Sequence, residues 1–180
     1  MAVAQRSLTD RIVGVLRLDE ATFEDIEADE KATGEAAFVV VASALVAAAG
    51  VALRTGRPIE VGLVGAIAEL ISWAVYAWFA WLIGVRLFPA TTTRSNWGEL
   101  ARTLGYATVP RVLLILVAIP GLAGVVRLVV EIWRLATTVV ALRSALDCST
   151  LRAVVVGVVA VIAEVIVLSI ILGIVGVAIS

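Results

Sequence analysis

From residue 36 to the end, long apolar runs alternate with short polar breaks. A membrane-spanning helix needs roughly 20 largely apolar residues. The runs predict five such segments, at 36–53, 61–88, 104–119, 122–142 and 151–179. Arg54, Arg57 and Pro58 close the first, Pro89 the second, and Pro120-Gly121 the third. The loop 143–150 separates the last two, with Ser149 or Thr150 as N-cap of segment five. The chain therefore divides into an N-terminal segment, 1–34, and a transmembrane domain, 35–180. The predicted fold class is all-α, a polytopic helical bundle.

Segment three is the exception to this regularity. At α-helical rise its length comes to roughly 24 Å, slightly less than a bilayer core. Pro110 lies inside it and would break or kink a regular helix. The pattern predicts a short amphipathic piece from Trp97 to Tyr106, then a kinked span. A re-entrant segment is the other reading.

The first 34 residues are polar and acidic, without the order of regions found in a cleaved signal peptide. The first span is thus expected to be a retained anchor. Leu8, Ile12, Val15 and Leu16 fall on one helix face, with Arg11 and Arg17 away from it. This helix suits a membrane interface, apolar face down. Asp19 can cap a second helix, which carries Phe23 and Ile26 among Glu20, Glu24, Asp25, Glu27, Asp29 and Glu30. Its acidity predicts either a solvated spacer or a docking surface for a basic partner.

Composition confirms the class. The chain is 62% hydrophobic, with a mean hydropathy of +1.08, far outside the soluble range. A net charge of −1 gives no basic field for nucleic acid. With no His and one Cys, disulfide scaffolds and Cys/His metal sites are excluded. Lys and Arg near the spans set orientation. With the N-terminus cytoplasmic, the inner segments hold Arg6, Arg11, Arg17, Lys31, Arg86, Arg94, Arg102, Arg143 and Arg152, and the outer ones Arg54 and Arg57. That bias predicts a cytoplasmic N-terminus and an external C-terminus.

Several strings resemble the Yip1 domain family of small five-span membrane proteins. They are Gly-Val-Leu-Arg-Leu-Asp-Glu-Ala-Thr-Phe at 14–23, Ala-Thr-Gly at 32–34 and Leu-Gly-Tyr-Ala-Thr-Val-Pro at 104–110. Ile-Trp-Arg-Leu-Ala-Thr-Thr-Val-Val-Ala-Leu-Arg at 132–143 and Ser-Thr-Leu-Arg-Ala at 149–153 follow in order. Glu20 departs from the pattern, standing where bacterial relatives often place Pro. The resemblance implies the same orientation and a role in membrane traffic or organisation. Eukaryotic members are associated with Rab-type GTPases, so a GTPase partner is an expectation from the resemblance alone. The other expected partners are the lipid bilayer, other membrane proteins and a second copy of the chain. The Arg-rich, Lys-poor composition suggests a GC-rich prokaryote.

Six ionisable residues fall inside the predicted spans: Glu69, Arg111, Arg127, Glu131, Arg134 and Glu164. Each costs about 2.5–3.5 kcal/mol on insertion scales if it faces lipid. Three acids and three bases can neutralise one another. Arg127, Glu131 and Arg134 share one helix face at i−4 and i+3 spacing, extended by Thr138. Gly62, Ala66, Glu69 and Trp73 share a face of segment two, and Ala153, Gly157, Ala160 and Glu164 a face of segment five. Small residues let helices approach closely. The pattern predicts a buried ionic knot, with Glu164 set against Arg134. One reading is structural. The other is a polar site for a lipid headgroup, an anion or a proton pathway.

The inventory excludes common catalytic devices. Without His there is no zinc site or serine dyad of the usual kind. No Asp falls within a span, and no glycine-rich phosphate loop precedes Lys-Ser/Thr. Cys148 reads as an ordinary loop residue. No cofactor is implied. The expected function is non-enzymatic: membrane organisation, trafficking or binding of other membrane proteins. The alternative is a small permease or lipid-translocating protein using the Arg/Glu cluster.

Overall fold

A computed structural model describes residues 6–56, 59–89, 93 and 95–179, with side chains described for all but 59–61 and 172–179. Among the described residues there are helices and no strands. They are α1 (Leu8–Leu16), α2 (Glu20–Ala28), α3 (Ala32–Thr55), α4 (Ile59–Trp81), α5 (Trp97–Tyr106), α6 (Ala123–Ala145) and α7 (Thr150–Ile179). A π-helical stretch, Leu82–Leu87, continues α4, and a 3₁₀ helix, Val109–Ala118, follows α5. Among the described residues four stretches are long and apolar enough to cross a membrane: Ala32–Thr55, Gly62–Leu87, Trp97–Ala118 and Thr150–Ile171. α6 has the length, with 23 residues, but Arg127, Glu131 and Arg134 interrupt its apolar character.

Segment three is the hub of the bundle. Its two halves pack against α3, α4, α6 and α2, and 67% of an 18-residue window within Trp97–Ala118 is buried. The corresponding share for Thr150–Ile171, the most apolar stretch, is 22%. A central helix meets protein and can afford polar atoms, whereas a peripheral one must be apolar all round. The 3₁₀ form also resolves the length problem. At about 2.0 Å per residue in the 3₁₀ half and 1.5 Å in the α half, the segment amounts to roughly 35 Å of helix. Pro110, which lacks an N–H, sits in the first turn of the 3₁₀ helix, where that donor is not needed. Gly50 of α3 lets the 3₁₀ backbone lie directly on it, since a Cβ there would overlap the Leu114 carbonyl and lie 2.7 Å from the Ile115 Cα.

The N-terminal helices share the core of the bundle, which corrects the expected solvated spacer. Val15, Phe23 and Ile26 are fully buried, in one cluster with Leu100, Tyr106 and Leu142. Leu8, Ile12 and Leu16 pack against that cluster, so the apolar face of α1 meets protein. The Trp133 Nε1 of α6 donates to the Leu16 carbonyl at 3.1 Å. Asp19 occupies the N-cap position of α2 without capping it; its carboxylate accepts from Arg6 at 2.8 Å and Thr22 at 2.7 Å.

Candidate intramembrane charge site

The two small-residue faces pack against different neighbours: a Cβ on Gly62 of α4 would lie 2.9 Å from Ala48 of α3, and Trp73 Nε1 donates to the Ala101 carbonyl of α5. Ala66 on α4 is buried, as are Ala153, Gly157, Ala160 and Glu164 on α7. A Cβ on Gly157 would lie 2.9 Å from Leu142 and 3.3 Å from the Tyr76 hydroxyl. This glycine therefore sets how closely α7 approaches α4 and α6. The seam carries Glu164 inward, where only 8% of it is exposed.

The six charges divide between two cavities. The first, about 350 Å³, lies between α4, α5, α6 and α7 and is lined by Glu69, Arg134 and Glu164 together with Ser72, Tyr76 and Thr138. The second, about 390 Å³, lies between α3, α4, the 3₁₀ helix and α6 and is lined by Arg111, Arg127 and Glu131. Two ion pairs cross from one cavity to the other. Arg111 pairs with Glu69, and Arg134 pairs with Glu131 at 3.0 Å. The first pair is mostly buried, its side chains 20% and 23% exposed. The second stands more open, at 41% and 55%.

The expected partnership of Arg134 with Glu164 is corrected. Arg134 and Glu131 lie three residues apart on one helix and meet locally, and Ser72 Oγ donates to the Glu164 carboxylate instead. Among the described residues Arg127 makes no ion pair. Each cavity is thus left with one charge outside a cross-pair, a carboxylate in the first and a guanidinium in the second.

The most enclosed charge lies elsewhere, in the N-terminal segment. Arg11 is 1% exposed and pairs with Asp25 at 2.9 Å, Asp29 at 2.8 Å and Glu35 at 2.9 Å. The Tyr106 hydroxyl donates to Glu35 at 2.5 Å. Burial works against the Arg11 cation, but its bonds to Asp29, Asp25, Tyr106 and Glu35 outweigh this and hold its pKa above the usual value. The Arg11 guanidinium in turn pulls Asp29 below the carboxylate range. Sequence reasoning placed Arg11 on the solvent side of α1. The signal was present: Leu8, Arg11 and Val15 lie at i, i+3 and i+7, and Asp25 on α2 and Asp29 at its C-cap offer it a matched pair.

Arg102 makes the second fastening. It is 5% exposed, and its guanidinium donates to the carbonyls of Ile26, at 3.2 Å, and Glu27, with Thr33 at 3.5 Å. The last turn of a helix leaves carbonyls without intrahelical donors, and a cation there satisfies them. Beside it, burial pushes the Glu27 carboxyl up to about 7, with repulsion from Glu99 and Asp147 adding to the effect and Ser144 and Arg102 opposing it. Burial likewise raises the Cys148 thiol, which disfavours the reactive thiolate. Among the described residues no group of His, Cys, Asp or Glu could hold a metal ion.

An all-helical bundle with four apolar, membrane-length helices and charges paired between them defines a helical membrane protein. The Yip1 domain family model matches residues 13–172, and the chain belongs to that family. No curated protein and no solved structure matches it. The Yip1 domain family is not an enzyme family.

Proposed function

We propose that this chain is a multi-pass protein of a prokaryotic cell membrane that works by binding, not by catalysis, and organises membranes or holds other membrane proteins. The observation that carries this is the fastening of α1 and α2 to the bundle through Arg11 and Arg102. It makes a fixed platform from a short polar segment. Glu24 and Glu30 stand exposed on that platform and suit a basic surface on a partner, while Glu20 pairs with Arg143. α6 serves as the fifth span. At about 35 Å it is long enough. Val125, Leu128, Val129, Ile132 and Leu135 form its exposed apolar stripe. Nine cationic residues against two support a cytoplasmic N-terminus and an external C-terminus. Co-purification in mild detergent tests the reading. A partner retained by the native chain should be lost when Glu24 and Glu30 are both replaced by Lys. Full retention would remove the acidic platform from consideration.

The two charge-lined cavities favour one second reading, a small permease or lipid-translocating protein. It requires a sustained flux in proteoliposomes that Glu131→Gln abolishes.

A further inference from the structure

The first cavity has the make-up of a ligand site. Its walls are predominantly apolar, and a few polar groups converge inside it, the usual pattern of a site that orients a small molecule. It holds three charges, but two are already spent across the wall. Glu69 pairs with Arg111 and Arg134 with Glu131. Glu164 is left, more than nine-tenths buried, with the Ser72 hydroxyl as its partner. One hydroxyl satisfies part of a carboxylate, which can accept about four hydrogen bonds. Tyr76 and Trp73 stand in the same lining, and aromatic faces attract cations. Towards the outside, Val158, Val161 and Ile162 line the cavity and are themselves exposed, so an apolar chain can run from the cavity along α7 into the lipid.

We propose that this cavity binds an amphiphilic amine, its ammonium group on the Glu164 carboxylate beside Tyr76 and Trp73, and its hydrocarbon chain along α7. The residual charge of the cavity selects the class. One carboxylate outside the cross-pairs matches one positive charge. A fatty acid would set a second carboxylate against it, and a zwitterionic lipid would bring a phosphate that finds Arg134 already engaged. This site is independent of the acidic platform, because no residue is shared between them.

The test uses the full chain in lipid nanodiscs, with hexadecylamine as probe and hexadecanol and palmitate as matched controls. Thermal stability and tryptophan emission are the readouts. A ligand that binds only the folded state raises its stability with concentration. Hexadecylamine should do so, and the alcohol and the acid should not. Glu164→Gln should weaken the amine at least about tenfold, the cost of a charge-assisted bond. Glu164→Asp keeps a carboxylate and should recover part of the amine binding that Glu164→Gln loses, which separates loss of the charge from a variant that merely misfolds. Val161→Trp, at the exposed mouth, should exclude the probe while leaving the fold intact. Equal shifts by amine and alcohol, or full binding by Glu164→Gln, would overturn the proposal. Partner retention in detergent would be untouched by either result, so failure here and failure of the platform reading can be told apart.

Discussion

Among the arginines that pair with carboxylates, Arg11 and Arg134 are handled in opposite ways. Arg11 lies in a polar, acidic segment, yet it is 1% exposed and held by Asp25 of α2, Asp29 at the end of α2 and Glu35 of α3. Arg134 lies within an apolar helix, yet its side chain is 41% exposed and its partner is a neighbour on the same helix. The apolar surroundings of a charge along the chain therefore do not measure its burial. Burial follows from how many separate elements converge on it. Arg11 ties three helices together, whereas the Arg134–Glu131 pair ties none.

The largest expected effect comes from Arg11. Arg11→Met leaves Asp25, Asp29 and Glu35 facing one another and should cost about 3 kcal/mol in detergent. That is the lower end of the range for breaking a buried pair, since the carboxylates keep some water. Neutralising Asp25 and Asp29 to Asn in the same chain should recover part of the loss. A change under about 0.5 kcal/mol, the size of an exposed pair, would erase the contrast drawn above.

Next comes Glu27, whose carboxyl is raised to about 7 mainly by burial. Its folded form keeps a proton that the unfolded chain has already released, so stability falls as pH rises from the ordinary carboxyl range towards 7. Glu27→Gln should remove that slope. The gain should be on the order of 1–2 kcal/mol near pH 8, after allowing for solvent screening, and nothing at about pH 4. Melting temperatures across that range check it. A gain independent of pH would mean that charge is not the cause.

The smallest effect belongs to Arg134 and Glu131. A double-mutant cycle to Met and Gln should give a coupling of about 0.2–0.5 kcal/mol, as for a pair along one helix. A coupling as large as that at Arg11 would place this pair in a far more enclosed setting.

Much of this was legible in the residues. The helices at 32–55, 59–87 and 150–179 follow from apolar length, and the seam of Ala153, Gly157, Ala160 and Glu164 from small-residue spacing. The piece Trp97–Tyr106 was legible too. The 3₁₀ helix after it was not, because its form depends on the approach of Gly50, some sixty residues away. The partners of the charges were not legible either. Depth along a span narrows the choice, but rotation of each helix decides it. Glu69 and Arg111 sit on helices whose relative rotation no local pattern encodes. Arg11 went astray for a related reason: beside Ile12 and Leu16 it looks like the polar edge of an amphipathic face, until α2 and α3 arrive to cover it.

The central claim is that the membrane charges are neutralised by pairs crossing between two cavities, and the Arg111–Glu69 pair tests it most directly. Its side chains are the less exposed of the two pairs, and its helices are not neighbours in sequence. A double-mutant cycle with Arg111→Met and Glu69→Gln, read as thermal stability in detergent, should give a coupling of about 1–3 kcal/mol, with the double variant more stable than additivity allows. Strict additivity would mean that the two residues do not touch, and the division of charge between the cavities would fall with it.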